Sequence, residues 1–275
     1  MLRRAFPVLL FLYSAGLYYF LSVYVDGFGV DWHNTYYPAV RLFLDGQNPY
    51  TVTTLHNPVW ALIPLAPFAV LGESIGGGAL YFVTFVAYVG VAHKLKASRL
   101  ALALFVSSPL IVYNLMLGNI DWMVALGFIM PPQFGLFLVV LKPQIGVAMA
   151  LYWAWQAYRS GGAGRLVRVF WPVTLCLAAS FLLYGNWLAG RSDDVLSAGW
   201  NLSFFPWTLP IGAALLLSSR VRSERAISAS PFLTPYLSLG SWSIAQLGMV
   251  GNTLYCFITT VALWVAYLFM LWRFG

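Results

Sequence analysis

Charge is what this sequence has least of. Charged residues make up 8% of its 275 residues, where an ordinary soluble domain carries about a quarter. That is too few to cover a water-facing surface, which excludes a soluble globular protein. Acids are scarcer than bases, eight against fifteen. The net charge of +7 reflects that shortage and not a basic face, which excludes a nucleic-acid binder. Cysteine is nearly lacking: Cys176 and Cys256 fall in apolar runs, so neither a disulfide nor a metal site is expected. No long linker, low-complexity tract or internal repeat is visible. What the chain has is hydrophobic residues, 61% of it. The expected class is an all-α polytopic membrane protein with lipid as its solvent.

The few charges set a topology. Twelve of the fifteen cations fall in five clusters: Arg3 and Arg4; Lys94, Lys96 and Arg99; Arg159, Arg165 and Arg168; Arg220, Arg222 and Arg225; and Arg273. The positive-inside rule puts these in the cytoplasm and leaves Arg41, Lys142 and Arg191 outside. All acids but Glu224 lie between clusters, so the outer face also holds most carboxylates. An even number of crossings must separate consecutive clusters. Expected spans are 5–25, 74–92, 100–117, 143–158, 169–185, 204–219, 228–248 and 251–272, about eight transmembrane helices with both termini cytoplasmic. The first stretch is longer than a signal-peptide core and lacks a small-x-small site after it, so it is expected to remain as a span. Two segments stay over. The pieces 122–130 and 134–141, split by Pro131-Pro132, are each about 13 Å long as helix, too short to cross a core of about 30 Å. The three-proline segment 58–72 is also short. Both are expected as re-entrant or interfacial elements, and together they imply a cavity open to the outside.

Most of the chemistry lies in the outer loop 26–57, which holds three of the eight acids and two of the three histidines. Tyr36, Tyr37, Val40 and Leu44 fall near helical spacing, so a short amphipathic helix is expected, stopped at Asp45-Gly46 and followed by a turn at Asn48-Pro49-Tyr50. Aromatic anchors at the membrane interface account equally well for the tyrosines and tryptophans. Asp31 sits just beyond the first span, where low dielectric raises proton affinity and suits a general base; Asp26 competes with it. Lys142 follows eight apolar residues, and a cation at that depth marks a site or snorkels to phosphates. Asn119 and Asp121 lie at the other end of the 122–141 hairpin, so Asp121 and Lys142 are expected as neighbours. Arg41 is a candidate second phosphate contact.

The runs DWHNTYYPAVRLFLDGQNPY, HNPVWALIPLAPFAVLG, GNIDW and LKPQIG, covering about 26–158 in order, resemble the GT-C membrane glycosyltransferases, most nearly family 87, the polyprenol-phosphate-mannose-dependent mannosyltransferase type. The residues that carry the resemblance are Asp31; Tyr36, Tyr37 and Ala39; Gly46, Pro49 and Tyr50; the prolines from Pro58 to Pro67; Gly118, Asn119 and Asp121; and Lys142-Pro143. One departure is that Asp31 stands one residue further from Tyr36-Tyr37 than the pattern has it. The resemblance implies an inverting transferase that moves a sugar from a polyprenyl-phosphate donor to a glycan or glycolipid acceptor on the outer face of a bacterial inner membrane. It implies Asp31 as the base. His33, Tyr37, Arg41, Asn119, Asp121, Lys142 and Gln144 would bind substrate. Expected partners are membrane lipids, the lipid-linked donor and the acceptor, with no nucleic acid. A divalent ion held by Asp31, Asp121 and His33 is compatible with the spacing but not required by it. Two other readings remain open: a non-catalytic subunit of a larger membrane complex, and a lipid transporter.

Overall fold

The two longest uninterrupted apolar runs become the two longest unbroken helices near the start of the chain, α1 (Leu2–Tyr24) and α4 (Glu73–Lys94). They pack antiparallel: the Tyr81 hydroxyl donates to the Ser14 carbonyl at 3.1 Å, and the Tyr13 and Phe85 rings lie 6.3 Å apart. The computed structural model covers residues 2–189, 196 and 199–274, and every element in it is helical. Arg191, with Asp193 and Asp194, lies outside the described residues.

Three helices are long and apolar enough to cross a membrane, or four if a bent pair counts as one span. This departs from the expected eight. The run 100–117 is the bent pair, α5 (Arg99–Val106) and α6 (Pro109–Leu117), turned by 53° where Pro109 opens the second helix. The carbonyl of Ser107 at the bend accepts from Trp264 Nε1 at 2.9 Å, so the break leaves that oxygen satisfied. The segment 58–72 forms only a short turn of helix and α3 (Ala66–Val70), and 122–141 forms two packed short helices, α7 (Asp121–Gly127) and α8 (Pro132–Val139).

The third long run, α9 (Pro143–Tyr184, 42 residues), is not one rod. Straight, it would measure about 63 Å. Yet Leu141, just before it, accepts from Asn57 Nδ2 at 2.8 Å; the Asn57 carbonyl accepts from the Tyr50 hydroxyl at 3.1 Å; and the Tyr50 ring meets that of Tyr184 at 5.4 Å. Both ends of the run meet the same cluster. It folds back where Gly161 and Gly162 leave helical geometry, Gly162 with φ +63, between Arg159 and Arg165. The expected turn of chain at that cationic cluster is there.

The last third differs most. The expected span 204–219 yields only α10 (Leu209–Ser218), and 228–248 yields α11 (Glu224–Leu233), an irregular tip, and α12 (Ser243–Leu247). Thr234, at the end of α11, donates to the Gln144 carbonyl at 3.2 Å, beside the start of α9. The chain then comes back, so that Gly248 packs on the Glu224 carbonyl and Gly251 on that of Leu95. Residues 224–251 therefore enter and return instead of crossing. Ser228 and Gly248 let the two legs approach: the Ser228 hydroxyl donates to the Ala245 carbonyl at 2.8 Å, and a Cβ on Gly248 would collide with that hydroxyl. The final helix α13 (Thr253–Phe274) starts at the Lys94–Arg99 end, where the Ser98 and Thr253 hydroxyls are 2.7 Å apart, and runs alongside α5, with Thr260 on Leu104 and Trp264 on Ser107.

Four of the five cationic clusters share one end of the bundle. Arg99 lies over Phe6 at the start of α1, Arg220 lies over Trp155, and Glu224 and Leu95 are bridged by residues 248–251. Arg273 is the exception: α13 leaves that end rather than returning to it. The difference arises because 228–248 is an out-and-back hairpin.

Candidate functional site

The opposite end of the bundle gathers the polar chemistry. The Gly29 amide donates to the Met116 carbonyl at 2.7 Å, tying the loop after α1 to the end of α6. Gly118 terminates α6 with φ +69, and a Cβ there would lie 3.1 Å from that of Trp32. Glycine satisfies both conditions, and the close approach sets Asp31 beside Asn119. Trp32 is fully buried and donates from Nε1 to the Glu73 carbonyl at 2.8 Å, fixing the loop against α4 as well. Residues Trp32–Tyr36 form a π turn that passes into α2 (Tyr37–Leu44). As expected, α2 is a short helix that ends at Asp45-Gly46, and Asn48 caps the following turn by accepting from the Tyr50 amide at 3.0 Å.

One hydrogen-bonded chain joins three distant segments. Asn119 Nδ2 donates to Asp31. Asn119 Oδ1 accepts from Lys142 Nζ at 2.8 Å and from the Ile120 amide at 2.6 Å. Lys142 forms an ion pair with Asp121, which also accepts from Asn114 at 3.0 Å and from Ser241 at 2.9 Å. The Tyr36 hydroxyl reaches Asn57 and Asn119 at 3.3 and 3.4 Å. Asp121 and Lys142 are buried, whereas Asp31 is only half-buried. The expected meeting of Asp121 with Lys142 is therefore present, and Asp31 and Asn119 join it.

Burial raises the proton affinity of Asp31 above the ordinary carboxylate; Lys142 and the Asn119 hydrogen bond oppose this in part, and Asp121 adds to it. Burial also pushes the Tyr36 phenol well up, with Asp31, Asp121 and Tyr236 reinforcing it, so Tyr36 stays a donor. Lys142 has three N–H groups and spends two within the chain.

The other expected ligands lie elsewhere. His33, two residues from Asp31, faces the other side of Trp32, where its Nδ1 meets Glu73 at 2.7 Å. Tyr37 packs its ring on Trp32 at 5.6 Å. Arg41 is exposed on α2 and makes no side-chain hydrogen bond or ion pair among the described residues. Gln144 is half-buried and contributes its carbonyl to Thr234. The set Asp31, Asp121 and His33 is not assembled, and among the described residues no three His, Cys, Asp or Glu side chains are grouped to hold a metal ion. Sequence reasoning missed Asn114, Ser241 and Tyr236. They are neutral residues in apolar surroundings, and two come from the tip of the 224–251 hairpin. The signal that was available is the polar run within 234–243, unusual in an expected span.

Compared with protein-family models, curated proteins and solved structures, the chain matches none.

Proposed function

We propose that this protein is an inverting membrane glycosyltransferase that moves a sugar from a polyprenyl phosphate to an acceptor hydroxyl at the outer face of the membrane. The observation that carries the reading is the convergence of Asp31, Asn119, Asp121 and Lys142 in one hydrogen-bonded chain, at the end away from four cationic clusters. These are residues on which the resemblance to GT-C family 87 rests. The π turn supports it further: a π turn takes one residue more than an α turn, which accommodates the extra residue between Asp31 and Tyr36-Tyr37.

In this reading Asp31 takes the proton of the acceptor hydroxyl as that oxygen forms a bond to the anomeric carbon. The bond from that carbon to the phosphate oxygen breaks, and polyprenyl phosphate leaves with the electron pair. The unspent N–H of Lys142 stabilises its charge. Asn119 holds Asp31 and Lys142 in register and leaves the second carboxylate oxygen of Asp31 open to the acceptor. Arg41, exposed nearby in sequence, is assigned to phosphates of the lipid surface instead of the reacting centre.

The test is transfer of labelled sugar from a polyprenyl phosphate in membranes carrying the purified chain. Asp31→Asn is expected to lower the rate about a hundredfold or more, the usual worth of a general base, with unchanged yield and unfolding midpoint. Undiminished transfer by that variant would overturn the assignment.

One observation favours a second reading as a non-catalytic subunit: α1 keeps only 11% of its apolar window buried within this chain, leaving a face that lipid or a partner helix would cover. Stable co-purification with other membrane proteins, and transferase activity in none of the preparations, would favour it.

A further inference from the structure

Beside Trp32 lies a pocket of about 270 Å³ between the end of α1, the end of α6 and the start of α4, and neither Asp31 nor Asn119 lines it. Its walls include Tyr18, Ser22, Phe28, His33, Ser74 and Gly78. The chain of contacts through Asn119 and Lys142 does not enter it.

The pocket has three features of a recognition site. Hydrogen-bonding groups face it unspent. His33 presents Nδ1 to the Glu73 carboxylate at 2.7 Å, so Nδ1 carries the proton and, in the neutral ring, Nε2 is a free acceptor. The Tyr18 and Ser74 hydroxyls make no hydrogen bond among the described residues, and Ser22 donates to the Tyr19 carbonyl but keeps its acceptor capacity. Beside these groups stands an aromatic cluster, in which Tyr18 lies 5.2 Å from Tyr81 and 5.6 Å from Phe28 between ring centroids. Bare backbone completes the wall: a Cβ on Gly78 would come within 2.8 Å of the Tyr18 hydroxyl, so any larger residue would displace that group.

Charge decides the ligand class. No Lys, Arg, Asp or Glu side chain lines the pocket. A phosphate would find no lysine or arginine, and His33 is already matched by Glu73; an ammonium would find no carboxylate on the wall, since Glu73 is engaged outside it. Aromatic rings beside several neutral donors and acceptors match a ring with one apolar face and a rim of hydroxyls. The volume falls just under the roughly 300–1,000 Å³ of pockets for drug-sized ligands.

We propose that this pocket is a binding site for a neutral hydroxylated ring of monosaccharide size, held by His33, Ser74 and Tyr18, and separate from the Asp31 centre. The proposal does not depend on Asp31 acting as a base. It gives Glu73 a positioning role, because Glu73 fixes which imidazole nitrogen faces the ligand.

The test is saturation-transfer NMR on the full chain in micelles, with methyl α-glucopyranoside, methyl α-galactopyranoside and methyl α-mannopyranoside as probes. Tetramethylammonium and inorganic phosphate serve as counter-probes. At least one glycoside is expected to bind, with affinity about tenfold weaker in His33→Phe and weakened about threefold in the milder Ser74→Ala, as for lost single hydrogen bonds. Asp31→Asn is expected to bind it within about twofold of the unaltered chain, as for independent sites. The proposal is overturned if no glycoside binds the unaltered chain or if a counter-probe binds in their place. It is also overturned if both pocket variants bind a glycoside as the unaltered chain does, or if Asp31→Asn abolishes binding.

Discussion

Replacing Lys142 by Met would remove one half of a buried ion pair and leave the other half in place. Asp121 is 1% exposed and Lys142 is 8% exposed, so water cannot take over the role of the lost partner. Two neutral donors would remain on Asp121, Asn114 at 3.0 Å and Ser241 at 2.9 Å, which hold the cost near the lower end of the range for breaking a buried pair, about 3 kcal/mol. Asp121→Asn alone leaves Lys142 with amide carbonyls as acceptors and no countercharge, and should cost about 2–3 kcal/mol. The double variant has no buried charge at this place. Because polar desolvation is then removed together with the attraction, its cost should stay below about 1.5 kcal/mol, far under the sum of the single changes. Equilibrium unfolding of the four proteins in mixed micelles measures all three quantities. The coupling energy should be about 4 kcal/mol, in favour of the pair or its joint removal. Additive single costs would refute the reasoning, since they would mean that each group is solvated independently.

Two further outcomes follow from the geometry. The Asp31 carboxylate is raised by burial and works as a base only when ionised, so sugar transfer should fall as pH falls, with its acid limb above the ordinary carboxylate range; Asn119→Ala removes a hydrogen bond that favours the ionised form, so the limb should move to still higher pH, and an unmoved limb would detach Asp31 from the rate. The course of α13 places Arg273 away from the Arg159 turn, so cysteines introduced by Ser160→Cys and Arg273→Cys should label with impermeant maleimide from opposite sides of sealed vesicles, and labelling from the same side would restore the even number of crossings.

Much of the first half was legible because its signals are local. Length and apolarity alone mark α1 and α4, since a helix that spans lipid must satisfy its own backbone over about twenty residues. Pro131-Pro132 breaks 122–141 by sterics, and the two ends of so short a hairpin have to meet, which is why Asp121 and Lys142 were readable as neighbours. Which way His33 faces was not legible for a related reason. Nearness in sequence to Asp31 said nothing about facing, and the wide turn after Asp31 sends the imidazole to the other side of Trp32, toward Glu73 forty positions away. Asn114 and Ser241 were missed because neutral residues in apolar runs carry no charge signal.

The scarcity of charge and the long apolar runs by themselves pointed to a helical chain compatible with a membrane, because a backbone with no water nearby has to bond to itself. The scarcity also limited the polar chemistry to a handful of side chains. What only the tertiary structure decided is how often the chain crosses and which of those side chains meet. Hydropathy is a sum over a window, so it scores 224–251 alike whether the segment crosses or enters and returns. The choice is made by packing: Ser228 and Gly248 let the two legs lie against each other, and the tip delivers Ser241 to Asp121. The same packing sends α13 away from the cationic end and with it the last arginine.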